Sequence, residues 1–266
     1  MLIYILIMLC LPPICAALAL SGKFSGLALN WLHRLTSTVV CLAVGLMAYN
    51  FNPYLPFTND YLYVDALSLW VIIIIATLYF AATWTARSYL SREERCGILK
   101  GEQLQNGRYF ALMQLFCWTM FIVLLVNNLG LMWVAIEATT LISALLISYK
   151  FTPEALEATW KYVMVCTVGI CLALLGTLIL YYAELQALGA SHALNWLHLY
   201  TNAKALDPTL TKFAMLFIVI GYGTKAGMAP MHTWLPDAYA EAPSLTSGML
   251  SGALCSCALY VLIRNL

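Results

Sequence analysis

The sequence predicts an all-α polytopic membrane protein with about eight transmembrane helices. Hydrophobic residues make up 63% of the 266 residues and charged residues only 9%, whereas a soluble domain carries roughly 25% charged residues. The apolar residues form runs that are long enough to cross roughly 30 Å of hydrocarbon. Because backbone polar groups inside lipid must be satisfied within their own segment, these runs are expected to be helices.

Eight such runs form one transmembrane domain that covers residues 1–266. The expected spans lie at about 2–20, 27–50, 65–86, 109–127, 129–148, 159–183, 211–229 and 244–264. The first lacks the charged start of a cleaved leader and is interpreted as a retained span. Gly221, Gly223, Gly227 and Pro230 crowd the end of the seventh span. They predict an interrupted helix, which in transporters exposes backbone beside an ion site.

The loop cations predict the orientation of the chain in the membrane. Five of them follow the third span: Arg87, Arg92, Arg95, Lys100 and Arg108. Since cytoplasmic loops carry an excess of Lys and Arg, the loops after spans 1, 3, 5 and 7 are expected on the cytoplasmic side. The sequence therefore predicts a multi-pass protein of the cell's inner (plasma) membrane with its N-terminus outside.

Composition also excludes several kinds of function. The formal net charge is +1, and no basic footprint of the kind that binds nucleic acid is present. The nine cysteines lie mostly within apolar runs, where cysteine behaves as a small hydrophobe. Their spacing matches neither a zinc site nor an iron–sulfur site. No cofactor or metal is expected in this chain, and any electron carriers are expected in other chains.

Lys225 is the first candidate for chemistry. It ends an apolar run in the segment 221–230, and an ammonium near the middle of a bilayer costs about 2.5–3.5 kcal/mol on insertion scales. Such a residue usually faces the bundle interior and marks an ion or proton path. The alternative is a cation that reaches the membrane surface near a helix end. The small residues around Lys225 favour the first interpretation.

Glu137 is the second candidate, about one third of the way along the fifth span. A carboxylate packs poorly in lipid, so a proton-binding group is favoured over an interfacial side chain satisfied by a neighbouring helix. Burial disfavours the charged form of a lysine, and a nearby carboxylate favours it. An acid and a base buried in separate helices are therefore the minimal parts of a proton relay.

Two further side chains are candidates for the same relay. Lys161 lies one turn into the sixth span beside Trp160 and Tyr162, where an interface anchor is equally expected. His232 follows the predicted interruption, and a histidine exchanges protons near neutral pH. Its alternative is a packing histidine that donates to a carbonyl.

The segment from Gly221 to Tyr239 reads GYGTKAGMAPMHTWLPDAY and resembles a signature of antiporter-like proton-channel subunits. These subunits occur in respiratory complex I, Mrp-type sodium/proton antiporters and membrane-bound group 4 NiFe hydrogenases. The segments 133–140 and 65–69 are similar to the same family. The Glu-Ala-Thr-Thr form at 137–140 and the ending at 258–264 are most similar to its hydrogenase-4 component F branch.

The resemblance implies a non-catalytic subunit in which electron transfer by partner proteins drives proton movement. Glu137 matches the family's buried glutamate, and Lys225 matches its central lysine on a broken helix. Lys161 and His232 stand at positions that the same residue types often occupy. The implied partners are the other membrane and peripheral subunits of a hydrogenase or an NADH dehydrogenase-like complex. Two alternatives stay open: a sodium/proton antiporter without a redox partner, and a scaffold that only anchors a complex.

Two departures from the family pattern are visible. Many relatives carry a lysine or histidine in the eighth span, where this chain has Ser256 or its neighbours, so the onward proton step has no evident cation. Relatives also have about fourteen spans in two inverted repeats. The chain is therefore expected to hold the first repeat of an antiporter-like fold, as a fragment, a split subunit or a shortened form.

Overall fold

The computed structural model describes residues 1–22, 25–97, 107–189 and 194–266. Within them the longer helices are α1 (Leu2–Leu20), α2 (Gly26–Tyr49), α3 (Ala66–Arg95), α4 (Arg108–Leu125), α5 (Leu129–Ile147), α6 (Pro153–Leu188), α8 (Pro208–Ala226) and α10 (Ser244–Asn265). Two shorter helices are α7 (Trp196–Asn202) and α9 (Trp234–Glu241). A small antiparallel pair, β1 (Phe57–Thr58) and β2 (Tyr63–Val64), precedes α3. The predicted loop cation Lys100 lies outside the described residues.

The predicted all-helical membrane bundle is confirmed. Seven helices of the described chain, all of the longer ones except α8, are long and apolar enough to cross a membrane. Two lysines, Lys212 and Lys225, lower the hydropathy of α8, which nevertheless packs extensively along α6. The expected count of eight is therefore approximate. Helices α3 and α6 also extend beyond their predicted ends near residues 86 and 183.

Polar residues that cap the helices fix where they begin. Asn128 accepts a hydrogen bond from the backbone of Leu131 at the start of α5. Thr152 caps α6 in the same way, followed by proline at the first helical position. Such caps satisfy amide groups that have no partner within the helix, and proline loses nothing there because it has no amide hydrogen.

Helix α4 lies at the centre of the bundle. It contacts α1, α3, α5 and α10. Of the 18 most apolar consecutive residues in each helix, 72% are buried in α4, against 33% in α1 and 39% in α2. Phe116, Met120 and Leu124 on α4 are fully buried. Helices α1 and α2 instead expose much of their apolar surface, as expected of helices at the edge of a bundle in lipid.

The predicted interruption of the seventh span is present and follows Lys225. Helix α8 continues through Gly221 and ends at Ala226, and Gly227 then adopts φ +79°. A side chain at Gly227 is doubly unfavourable, because L-residues rarely adopt this φ and a Cβ there comes within 2.4 Å of Leu235. Gly221 does not break the helix. A Cβ at Gly221 comes within 2.5 Å of the Ala173 amide, so this glycine allows α8 to approach α6 closely.

An ion pair joins the end of α10 to the start of α3. Arg264 Nη1 lies 2.6 Å from Asp65 Oδ2, and Nη2 donates to Ser68 at 3.2 Å. The guanidinium carbon is 4.1 Å from the centroid of the Trp196 ring. Burial raises the pKa of the Asp65 carboxyl, but hydrogen bonds and the positive charge of Arg264 outweigh burial, so this pKa lies below its ordinary value.

Candidate functional site

Lys225 is held in the last turn of α8 by two neighbouring helices. Its side chain is fully buried at 0% exposure. Nζ donates a hydrogen bond to Thr140 Oγ1 on α5 at 2.9 Å and another to the hydroxyl of Tyr162 on α6. Nζ also lies 4.6 Å from the centroid of the Tyr162 ring, a distance typical of a cation–π contact. The C-terminal end of a helix dipole additionally favours a cation at this position.

Thr140, Ser143 and Tyr162 form a buried hydroxyl cluster around Lys225. Tyr162 Oη lies 2.6 Å from Ser143 Oγ, and Ser143 Oγ donates to the Thr139 carbonyl at 2.7 Å. Since Lys225 donates to the Tyr162 oxygen, the tyrosine can pass its own hydrogen to Ser143. The ammonium is therefore the first member of a continuous series of hydrogen bonds.

Helix α9 covers the hydroxyl cluster. Trp234, at the start of α9, is fully buried, and its ring centroid lies 4.9 Å from that of Tyr162. Its indole Nε1 donates to the Thr224 carbonyl at 3.0 Å. That carbonyl belongs to the last turn of α8, where backbone acceptors lack helical partners. One side chain thus packs over the cluster and closes the end of the interrupted helix.

Glu137 lies on the same side of α5 as Thr140, one helical turn earlier. It is partly buried, and its Oε2 is a buried atom without a hydrogen-bond partner among the described residues. The described residues contain no Glu137–Lys225 ion pair within 4.0 Å. The carboxylate is nevertheless close enough to act electrostatically on both Lys225 and Tyr162. The predicted acid and base are therefore brought together without direct contact.

Lys161 is placed beside the cluster and not inside it. Its side chain is 51% exposed, and Nζ lies 2.8 Å from Glu157 and 2.8 Å from Asp237. An adjacent cavity of about 190 Å³ is lined in part by Glu154 and Glu241. Consecutive residues of a helix point in different directions, which is why Tyr162 is buried while Lys161 is exposed. The pair with Asp237 ties α6 to α9.

His232 is exposed in the turn between α8 and α9. Its carbonyl accepts a hydrogen bond from Leu235 at 3.0 Å and helps to start α9. The structure thus groups Glu137 with Lys225, places Lys161 at a nearby acidic surface and leaves His232 on the outside of the turn.

Helix α10 presents thiols and a hydroxyl where relatives were expected to carry a cation. It is widened into a π-helical turn at Leu250–Leu254, a feature frequent at functional sites. Ser256 Oγ donates to the Gly252 carbonyl at 2.6 Å. Cys255 lies 3.2 Å from the hydroxyl of Tyr239 and within electrostatic range of Lys225. The eighth span therefore approaches the site with neutral polar groups.

A second buried carboxylate, Glu184, is remote from this site. It accepts a hydrogen bond from the Leu194 amide at 2.7 Å, and its other oxygen lies 3.2 Å from His198 Nδ1. It stands on α6 roughly 33 Å along the helix from Tyr162, at 1.5 Å per residue. Its contacts link α6 to Leu194 and to α7.

Sequence reasoning missed the hydroxyl cluster and Trp234. The signal was present on α5, where Glu137, Thr140 and Ser143 are three residues apart within an apolar run. Polar residues at this spacing share one helix face. Tyr162 had no comparable signal, because tyrosine is also common at the membrane interface. Among the described residues, no group of three or more His, Cys, Asp or Glu side chains is placed to hold a metal ion.

Known membrane proteins resemble this chain along most of its length. Residues 126–266 match the family described as NADH:quinone oxidoreductase/Mrp antiporter, transmembrane. The chain is 35% identical over 253 residues to the hydrogenase-4 component F homolog of Methylacidiphilum infernorum, covering 95% of this chain and 52% of that protein. It is 31% identical over 207 residues to one of the Na(+)/H(+) antiporter subunits of Alkalihalophilus pseudofirmus, covering 77% of this chain and 24% of that protein.

The fold is similar to that of a solved membrane complex. A chain of the membrane-bound sulfane sulfur reductase, an archaeal respiratory membrane complex, superposes with a TM-score of 0.81 at 20% identity. The match covers 97% of this chain and 52% of the other. At 20% identity, this structural similarity shows a shared fold and does not show a shared function. The chain spans about half the length of the hydrogenase-4 relative and of this structural neighbour.

Proposed function

Because this chain belongs to the NADH:quinone oxidoreductase/Mrp antiporter family of transmembrane subunits, we propose that it translocates protons within a larger redox complex. It is an antiporter-like, multi-pass membrane subunit of the superfamily that includes complex I, Mrp antiporters and group 4 hydrogenases. The complex is a membrane-bound hydrogenase or a related oxidoreductase in the plasma membrane. Electron transfer in partner subunits supplies the driving force.

The burial of Lys225 within hydrogen-bonding distance of two hydroxyl groups is the observation that supports this proposal most strongly. A lysine that only anchored the helix could extend to the interface, where its charge costs little. Lys225 instead stays inside the bundle and contacts groups that can both accept and donate protons. A scaffold has no need of such an arrangement.

The proposed mechanism is electrostatic. A charged Glu137 stabilises the ammonium form of Lys225. Loss or displacement of that negative charge removes this electrostatic stabilisation. Lys225 then gives a proton to Tyr162 Oη, and the tyrosine proton passes to Ser143. The Ser143 hydroxyl turns away from the Thr139 carbonyl and gives its own proton to water. Reprotonation of the lysine from water restores the starting state. Each step transfers one proton, and no bond other than O–H or N–H changes.

The energies involved are of matching size. Moving one charge across 100 mV requires about 2.3 kcal/mol, and a change of one pKa unit corresponds to about 1.4 kcal/mol. A change of roughly two pKa units at one group is therefore sufficient for one step.

We assign Lys161 and the acidic cavity beside it to proton entry. His232 is assigned to proton exchange at the exposed turn.

Replacement of Lys225 by Met in the assembled complex tests the proposal. Met keeps most of the side-chain volume and cannot bind a proton, so electron-driven proton movement into inverted membrane vesicles should fall to background. Lys212→Met on the exposed part of the same helix is the matched control and should leave pumping intact. Normal pumping by an intact complex that carries Lys225→Met supports the scaffold interpretation instead.

A sodium/proton antiporter without a redox partner is the second candidate. It is favoured by the similarity to the Na(+)/H(+) antiporter protein of Alkalihalophilus pseudofirmus over 77% of this chain. The two functions predict different co-purifying proteins and different transport activities. A redox-coupled protein co-purifies with nickel–iron and iron–sulfur proteins, whereas an antiporter exchanges sodium for protons in vesicles without an electron donor.

A further inference from the structure

Unpartnered buried polar atoms occur on neighbouring turns of α2 and on the C-terminal part of α3, the helix that packs against it. Six buried side-chain nitrogen or oxygen atoms in the described residues lack a hydrogen-bond partner. Glu137 Oε2 belongs to the site above, and Glu93 Oε2 lies near the end of α3. The remaining four are Asn30 Oδ1, His33 Nε2, Arg34 Nε and Arg87 Nη1. Buried polar groups are normally satisfied, so these atoms require an explanation.

The two arginines lie at the same level of the antiparallel α2–α3 helix pair. Arg34 Nη2 donates to the Trp84 carbonyl at 2.8 Å. Carbonyl groups of a helix point toward its C-terminus, so the Arg34 head lies next to the turn of α3 that carries Arg87. Neither arginine forms an ion pair within the part of the chain that the structure describes. Two guanidinium groups are thus partly desolvated without an anion.

Two tryptophans flank this position. The Arg34 guanidinium carbon is 5.7 Å from the centroid of the Trp31 ring and 5.1 Å from that of Trp84. Both rings are partly exposed, at 51% and 42%. An arginine between exposed indoles is the composition expected at the headgroup level of a membrane.

The position along α3 agrees with the headgroup level. A helix that enters the hydrocarbon at Ala66 leaves it about 20 residues later, which places Arg87 at the membrane–water interface. A stripe of exposed apolar side chains runs along α2 from this level into the bilayer: Leu35, Val39, Leu42 and Leu46. Their spacing of three or four residues puts them on one face, where acyl chains can pack.

We propose that Arg34 and Arg87 bind the phosphate of an anionic phospholipid in the groove between α2 and α3. Guanidinium groups donate paired hydrogen bonds to phosphate oxygens. The phosphate would satisfy the free donors of both arginines and neutralise their charge, while Trp31 and Trp84 contact the glycerol region. The acyl chains lie along the apolar stripe of α2. The site is separate from the proton relay and requires none of its residues.

Native mass spectrometry of the membrane complex that contains this chain tests the proposal. Phosphatidylglycerol is added back to the delipidated complex, with phosphatidylcholine and inorganic phosphate as separate arms. Each of Arg34→Gln and Arg87→Gln should lower phosphatidylglycerol retention about fivefold, which corresponds to ~1 kcal/mol per basic residue. Arg92→Gln removes an exposed charge from the same end of α3 and should leave retention unchanged.

Two further outcomes decide the identity of the ligand. The double variant Arg34→Lys with Arg87→Lys keeps both charges and the fold but loses the paired geometry, so intermediate retention is expected. Equal retention by the wild-type and glutamine variants overturns the proposal. It is also overturned if inorganic phosphate binds as well as the lipid, or if the variants lose a partner protein while lipid retention is unaffected. Proton pumping is not used as the readout, so the result is independent of the proposed function.

Discussion

Replacing Tyr162 with Phe is the most direct test of the hydroxyl cluster. The change removes one oxygen and leaves the ring, so the packing against Trp234 at 4.9 Å and the cation–π distance of 4.6 Å are preserved. Lys225 loses its hydrogen bond to the Tyr162 hydroxyl and keeps the bond to Thr140. The series of hydrogen bonds toward Ser143 is interrupted at its first step.

The magnitude follows from the bonds that are lost. A hydrogen bond to a charged group contributes about 1.5–3 kcal/mol, and each 1.4 kcal/mol changes an equilibrium or rate by about tenfold. If proton transfer depends on this hydroxyl, the rate of proton movement should fall roughly 10- to 100-fold. Because the ring and its packing remain, assembly and electron transfer should change little.

The measurement is electron-driven acidification of inverted vesicles, recorded with a pH-sensitive dye and divided by the rate of electron transfer. Tyr182→Phe on the exposed side of the same helix is the control for removal of a hydroxyl. A Tyr162→Phe complex that assembles normally and pumps at the wild-type ratio would falsify the assigned series of hydrogen bonds. In that case protons reach Lys225 through water alone.

Two predictions concern the stability of the bundle. Asp65→Asn should lower the free energy of unfolding by roughly 3 kcal/mol, near the lower limit for a broken buried pair, because the Asp65 side chain is 25% exposed and that of Arg264 only 4%. The pKa of Asp65 is lower in the folded protein than in the unfolded chain. The ion pair therefore contributes fully to the free energy of unfolding above the ordinary carboxyl pKa of about 3.9. This contribution is lost as the pH falls through the lower pKa that Asp65 has in the folded protein. Denaturation of wild type and variant at several pH values checks both statements, and a pH-independent difference contradicts the second. Gly221→Ala should destabilise the protein by about 1–3 kcal/mol through overpacking against Ala173, whereas Gly45→Ala, which meets no atom within 4 Å, should not lower the melting temperature.

The side chains that α10 brings to the site have a consequence for the proton path. Helix α10 approaches Lys225 with Cys255 and Cys257, and Ser256 lies between them in sequence, where a cation was expected. We expect the onward step to use water beside these neutral groups or a side chain from outside the described residues. Comparing proton pumping by wild type and Ser256→Lys tests whether a cation at this position speeds the onward step.

Much of the architecture could be predicted because lipid imposes strict rules on sequence. A helix in hydrocarbon needs about 20 apolar residues, so the spans appear as long runs, and a charge inside a run is costly enough to be conspicuous. Glu137 and Lys225 were found in this way, and so was the interruption near Gly227. Helix ends were less well predicted, because α3 and α6 continue beyond the hydrocarbon, where apolar content no longer identifies a helix.

The amino-acid sequence by itself determined that this protein is a helical membrane bundle with an acid, Glu137, and a base, Lys225, inside apolar runs. Only the tertiary structure decided which neighbours they meet. Lys161 and Tyr162 are adjacent in sequence, yet their side chains leave α6 in different directions, and the packing of α5, α8 and α9 buries one and exposes the other. Helix periodicity gives the angle between two side chains, but the environment on each side depends on long-range contacts that no local pattern encodes.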